Sequence, residues 1–399
     1  MHFDTARVRA SFPALDDGVA YFDGPGGSQV PREVARAVSE TMSSGISNRG
    51  TVTAAEQRAD RIVGDARGAV ADLLGCDAGT VVFARSMTQA TYDLSRALAR
   101  QWGSGDEVVV TRLDHDANIR PWVAAAGSAG ATVRWAGFDP ATGELAVEDV
   151  RAELSERTRL VAVTGASNLL GTRPDLPPII EEAHGVGALV YVDGVHLTPH
   201  AAISFDGLGA DFFACSPYKF FGPHHGIVVA RHGLLESVQP DKLLPATDEV
   251  PERFELGTLP YELLAGTTAA VDFIAGLGSS DPDRRTRVLE SMRAVEEQED
   301  RLFALLLDGL SRINEVTVHG SPKRRTPTAL FSVAGHSAEH VYEHLARLGV
   351  NAPSGSFYAL EAARWMGLGE AGAVRAGLAP YTNDDDVDRL LVAVTELGR

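Results

Sequence analysis

Between residues 80 and 230, short apolar runs alternate with stretches whose apolar positions recur at helical spacing. TVVFA (80–84), DEVVVT (106–111), ATVRWA (131–136), RLVAVTGA (159–166), ALVYVD (188–193), DFFACS (211–216) and GIVVA (226–230) predict strands. Several lack polar alternation, the mark of strands covered on both faces. Helical patterns lie between many of them, at 87–101, 118–129, 146–155 and 175–185. This alternation predicts an α/β fold with a doubly wound, mostly parallel sheet. The C-terminal third changes character. A long charge-rich helix is expected over 282–312, strands near 314–319 and 327–333, a helix at 338–348, a strand at 373–379 and a last helix at 384–397. That pattern predicts a smaller α+β domain. GLGSSDPD (276–283) is the clearest turn-rich break. We expect a large domain over 18–265 and a small one from 1–17 and 266–399.

The chain has 399 residues, 44% hydrophobic and 23% charged, which fits a soluble globular protein with a large core. Its net charge of −18 opposes non-specific binding to nucleic acid or to anionic membranes. Only Cys76 and Cys215 are present, so a disulfide scaffold is excluded and a reducing cytoplasm is the simple expectation. The N-terminus has no apolar core of a signal peptide, and no apolar run is long enough to span a membrane. No internal repeat or low-complexity tract stands out.

Ligands of open α/β sheets sit at the carboxyl ends of the strands, so the polar residues there matter most. After the first strand, Arg85-Ser86-Met87-Thr88 leads into a helix. It reads either as a plain N-cap or as unpaired N–H groups suited to a phosphate. After the second comes Asp114-His115-Asp116-Ala117-Asn118, with His115 structural or catalytic. Asp193 closes the buried ALVYVD run, either capping a helix or meeting a cation. Ser216-Pro217-Tyr218-Lys219 follows DFFAC, and Lys219 stands beside two phenylalanines. It is either a snorkelling lysine or an amine whose pKa desolvation lowers toward a nucleophile.

In this order, with DHDANIRPW (114–122), SNLLGT (167–172), YVDGVH (191–196), SPYKFFGPHHG (216–226), RFELGT (253–258) and VRAGLAPYTN (374–383), the chain resembles the class V aminotransferases of fold-type I pyridoxal-5′-phosphate (PLP) enzymes. The cysteine desulfurase-like branch is the nearest in pattern, and the resemblance runs from YFDGPGGSQVP (21–31) almost to the C-terminus. It implies that Lys219 carries the cofactor as a Schiff base and moves protons at the substrate Cα. It implies that Asp193 pairs with the pyridine nitrogen, His115 stacks on the ring and Asn168 meets the ring oxygen. Thr88, the Met87 N–H and Ser216 would hold the phosphate. Thr258 would reach the cofactor of a second subunit, so a homodimer with shared active sites is expected. Arg375 would clamp the carboxylate of a small amino-acid substrate, with Asn168 beside it. Arg49, in the loop Ser47-Asn48-Arg49-Gly50, is a further candidate for substrate binding.

The chain departs from that pattern at four places. His196 stands where desulfurases place a glutamine against the ring oxygen, and Tyr218 where they place a histidine before the lysine. Tyr358 stands at the position of the nucleophilic loop cysteine, and Pro353 at that of a further substrate-binding arginine. Persulfide formation needs an accessible thiolate. A carbon–sulfur lyase-type enzyme lacking that loop cysteine is therefore expected. An aminotransferase or epimerase of a specialised pathway, and a non-catalytic scaffold or sulfur-relay partner, are the alternatives. No metal site is expected: in His336-Ser337-Ala338-Glu339-His340, Ser337 reads as the N-cap of a helix that leaves His336 outside. GPGGS (24–28) reads as a loop whose missing side chains let backbone approach a ligand. Asp384-Asp385-Asp386 reads as a helix cap and first turn.

Overall fold

A computed structural model describes residues 3–397. Its main sheet has seven strands, in the order Val81–Ala84, Gly226–Ala230, Phe212–Cys215, Leu189–Asp193, Thr158–Thr164, Glu107–Thr111 and Thr132–Ala136. From Phe212–Cys215 to Thr132–Ala136 all neighbours are parallel, whereas Gly226–Ala230 is antiparallel to both of its neighbours. The architecture is α/β, as the alternation of strands and helices predicts.

Side chains alternate across a strand, so each unbroken apolar run feeds two cores. Val161, Val163, Val190, Val192 and Phe213 belong to one, with Val70 and Leu74 of the helix Ala54–Leu74 and Ile179 of Leu176–Gly185. Leu160, Ala162, Tyr191 and Phe212 belong to the other, under Leu94 and Leu98 of Met87–Ala99 and Trp122 of Arg120–Ala129. Truncating a ring such as Phe213 to alanine costs about 3–5 kcal/mol in a core of this kind.

A second, antiparallel sheet of four strands runs Ser354–Gly355, Ala373–Gly377, Thr328–Val333 and Val316–His319. Phe303 and Leu306 of the helix Arg284–Ser311, Val341 of Ala338–Arg347 and Leu390 of Asp384–Leu397 cover it. The N-terminal segment is tied to this region, since Arg9 Nη1 bonds Asp386 Oδ2 at 2.6 Å. The helix Tyr261–Ala275 crosses position 265 and packs on Arg32–Met42 and Ala54–Leu74. Among the described residues, no helix is long and apolar enough to cross a membrane.

Some elements differ from expectation. The helix expected over 146–155 is regular only over Val147–Arg151. The 118–129 pattern opens as a 3₁₀ turn, Asp116–Asn118, before the helix Arg120–Ala129. Helices Arg32–Met42, Ala54–Leu74, Tyr261–Ala275 and Leu360–Trp365 were not anticipated as separate elements. Ser337 does cap its helix, accepting a bond from His340 N. The last helix is capped by Asn383 rather than by the aspartate run: Asp386 N donates to Asn383 Oδ1 at 2.9 Å, and Asn383 N to Asp386 Oδ2 at 3.2 Å.

Candidate active site

A cavity of about 650 Å³ opens at the carboxyl ends of the parallel strands. Lys219, Asp193, His115, Asn168, His196 and Arg375 all line it.

Local sequence explains their placement. Lys219 ends the 3₁₀ turn Pro217–Lys219, between a parallel strand and its antiparallel neighbour. Both Phe220 N and Gly222 N donate to Pro217 O at 2.8 Å, which folds the chain back sharply. Phe221 takes the left-handed region, φ 72°, uncommon for an aromatic residue. Its N–H donates to Ser28 Oγ at 2.7 Å, and its ring packs edge-on to Phe12 and Phe273. The lysine amine donates to the Pro25 carbonyl of the GPGG loop. Burial, with the charge of Arg375, pushes that amine down to about 7.

Asp193 is 4% exposed and accepts a 2.9 Å bond from Val195 N. Burial raises its carboxyl to about 7 against the pull of that bond and of Lys219. The turn behind it requires Gly194, where a Cβ would stand 1.9 Å from the Phe213 ring.

His115 sits on a turn held from beneath. Asn118 Nδ2 donates to the buried Asp114 carboxylate at 2.7 Å, and Trp122 Nε1 to Asn118 Oδ1 at 3.1 Å. His115 Nδ1 accepts from Ala117 N at 3.0 Å, and burial lowers the ring to about 4, so it is neutral. Asn168 projects from the tight SNLLGT turn, in which Gly171, φ 76°, donates to Ser167 O at 2.8 Å. Its amide donates to the Phe357 carbonyl at 2.8 Å.

Arg375 comes from the other sheet, on the strand Ala373–Gly377. Its Nη1 donates to Asn168 O at 2.9 Å and its Nη2 to Asp23 Oδ1 at 2.8 Å. The Phe357 ring covers the guanidinium, 3.7 Å from its carbon. The helix Met87–Ala99 points its N-terminus at the cavity, capped by Ser86 accepting from Gln89 N at 3.0 Å. The first N–H groups of a helix have no partner within it. Thr88, Ser216 and Tyr218 complete this end, Tyr218 stacking on His224 with ring centres 4.7 Å apart.

Two candidates lie elsewhere. Arg49 is held by Asp60 at 2.8 Å and Glu252 at 3.0 Å, outside the cavity. Thr258 is exposed and also outside it. The cavity instead includes Asp23, Tyr92, Arg120 and Phe357, which the sequence reading did not name.

Comparison with known proteins agrees with this geometry. A match to aminotransferase class-V spans residues 20–390. The chain belongs to that family. Within it, the chain is 30% identical over 424 residues to a cysteine desulfurase of Salmonella agona (strain SL483), covering 100% of this chain and 99% of that one. It is 35% identical over 402 residues to the uncharacterized protein MT3887 of Mycobacterium tuberculosis (strain CDC 1551 / Oshkosh), covering 100% of each. The crystal structure of the cysteine desulfurase CsdA from Escherichia coli superposes with a TM-score of 0.88 at 27% identity, over 99% of this chain and 98% of that one. This class-V member is a PLP-dependent enzyme of the cysteine desulfurase-like branch.

The cavity fits the cofactor. Asn168 Oδ1, His196 Nδ1 and Arg375 Nε are buried without a hydrogen-bond partner. Buried polar atoms are normally paired, so these orphans mark places for ligand groups. A buried carboxylate such as Asp193 calls for a cation, which a protonated pyridine nitrogen supplies. The helix N-terminus suits the phosphate.

Proposed function

We propose that this enzyme cleaves a carbon–sulfur bond of a small α-amino acid by elimination, without passing sulfur to a loop thiol. One observation carries the reading: Lys219, Asp193, His115 and Arg375 share a single cavity that neither cysteine lines. Cys215 is buried in a strand and burial holds its thiol protonated. Burial also pushes the Cys76 thiol up to about 12.

Bound PLP supplies an electron sink for the negative charge that forms at the substrate Cα. Lys219 would anchor the cofactor and, with its amine neutral, would take the Cα proton. The Cβ–S bond would break with its electron pair leaving on sulfur, the Cα proton staying on the lysine amine, and hydrolysis of the released enamine would give a keto acid and ammonia. Asp193 keeps the pyridine nitrogen protonated. His115, being neutral, lies against the ring at no charge cost. Arg375 takes the substrate carboxylate, with Asn168 alongside. Met87 N–H, Thr88, Ser216 and Tyr218 hold the phosphate, and Thr258 reaches the same group in the partner subunit of a homodimer. Arg49 serves as a stay for the 252–258 loop. The division into 18–265 and the remainder forms part of the same proposal.

Tyr358 suits a second reading as well as the first. It is 76% exposed at the cavity rim, with its ring 5.6 Å from His115. A phenol there is no sulfur acceptor, and transamination or epimerisation needs none.

A panel of amino acids tests both. Sulfide or thiol with keto acid and ammonia marks elimination, keto acid with the pyridoxamine form of the cofactor marks transamination, and solvent deuterium at Cα of retained substrate marks epimerisation. Lys219→Ala is expected to abolish the visible absorption band of the purified protein and all turnover. A Lys219→Ala protein that kept both would overturn the proposal.

A further inference from the structure

His196 is 2% exposed in the cavity wall. Its Nε2 stands 2.9 Å from Thr326 Oγ1 and 3.0 Å from Thr328 Oγ1. Its Nδ1 is buried and has no protein partner. The ring follows the strand Leu189–Asp193 of the main sheet, whereas Thr328 opens the strand Thr328–Val333 of the second sheet.

Burial pushes this ring well below the usual histidine range, and the charges of His200, Arg375 and Lys219 act in the same sense. The ring is neutral, so only one nitrogen carries hydrogen. The His200 ring stands edge-on at 5.1 Å, with its own Nδ1 held 2.9 Å from Glu299 Oε2. It offers His196 no hydrogen bond. The threonines decide the tautomer. Apart from Nε2, the acceptors near their hydroxyls are poor: Thr326 has Gly171 O at 3.4 Å, and the two hydroxyl oxygens are themselves 3.4 Å apart. An Nε2 that carried hydrogen would leave both hydroxyl hydrogens to these long contacts. A bare Nε2 has one lone pair and takes one of the two hydroxyl hydrogens at 2.9–3.0 Å, leaving the Nδ1–H for a ligand acceptor. Buried donors favour the arrangement that pairs them.

We propose that Thr326 and Thr328 are positioning residues that fix His196 as its Nδ1–H tautomer, making it a hydrogen-bond donor to the ring oxygen of bound PLP. The inference rests on the PLP reading above and deepens it. A donor on that oxygen draws electron density from the cofactor and lowers the pH at which its linkage to Lys219 loses a proton. The second sheet thereby tunes the reactivity of a cofactor anchored on the first.

Two measurements test this. In unliganded protein labelled with ¹⁵N-histidine, long-range ¹H–¹⁵N correlation spectra distinguish the tautomers, with His196 assigned by its loss in His196→Gln. Wild type is expected to show Nδ1–H; an Nε2–H or doubly protonated ring overturns the proposal. In PLP-loaded protein, the pH midpoint of the visible band is expected to rise by roughly 0.5–1 unit in T326V/T328V, a hydrogen bond of ordinary strength expressed in pH units. T326S/T328S should keep the wild-type midpoint. An unchanged midpoint in a T326V/T328V protein that melts like wild type also overturns it. The first measurement needs no altered threonine, so a misfolded variant does not remove the test. A wild-type protein unable to take up PLP would instead sink the reading of the preceding section, while the unliganded spectrum still reports the tautomer.

Discussion

At the scale of the residue, the chemistry centres on one amine kept out of water. Burial and the nearby guanidinium bring Lys219 to about 7, so it loses its proton above that pH rather than near 10.5. The neutral amine is the form that condenses with an aldehyde. The rate at which unliganded enzyme takes up PLP should therefore rise roughly tenfold from pH 6 to pH 8 and then level off. Stopped-flow absorbance would show it; a rate still climbing steeply at pH 9 would contradict the buried-amine account. The sequence revealed Lys219 because a lysine between a buried strand and two phenylalanines is out of place. It did not reveal Asp23 or Phe357 as neighbours of Arg375. Asp23 lies 352 positions away and reaches the guanidinium only through the folded GPGG loop. Phe357 and Tyr358 both adopt positive φ, 52° and 58°, a backbone state that side chains of this shape do not announce.

At the scale of the element, the proposed phosphate end depends on a close approach of two backbones. Gly226 begins the antiparallel strand, and a Cβ there would stand 2.2 Å from Met87 N and 2.1 Å from Ser86 C. Gly226→Ala must push the helix N-terminus away. We expect PLP affinity to fall at least tenfold, about 1.4 kcal/mol, while far-ultraviolet circular dichroism stays unchanged. Equilibrium titration of unliganded protein with PLP measures it. Most of the seven strands were legible because burial on both faces strips them of polar alternation, which sets them apart from amphipathic helices; Thr132–Ala136, at the sheet edge, alternates instead, with Thr132 and Arg134 exposed. The helix Ala54–Leu74 was less so, although Thr53 and Glu56 form the capping box that marks its start. Helices that pack largely on other helices, such as Tyr261–Ala275 on Arg32–Met42 and Ala54–Leu74, were the hardest to separate by pattern alone.

At the scale of the whole molecule, the loops near Thr258 expose apolar side chains. Leu256 is 50% exposed and Val52 86%. Arg49 links their two loops through Glu252, and Arg67 pins Glu255 at 2.9 Å. Exposed apolar residues on braced loops suit a second copy of the chain. For the homodimer proposed above, V52D/L256D should shift the protein to monomer in light scattering and loosen its hold on PLP, with the melting of the monomer core preserved. A dimer that survives both charges would place the subunit contact elsewhere.

The antiparallel strand Gly226–Ala230 has a mechanical corollary. The loop bearing Lys219 and the glycine that seats Ser86–Met87 are joined by a few residues of one tight return, so in the proposed binding mode both ends of the vitamin would rest on the same sheet. The guanidinium of Arg375 rides on another. Any rocking of one sheet against the other would leave the prosthetic group's anchorage unstretched and would vary only the gap into which an amino acid must fit.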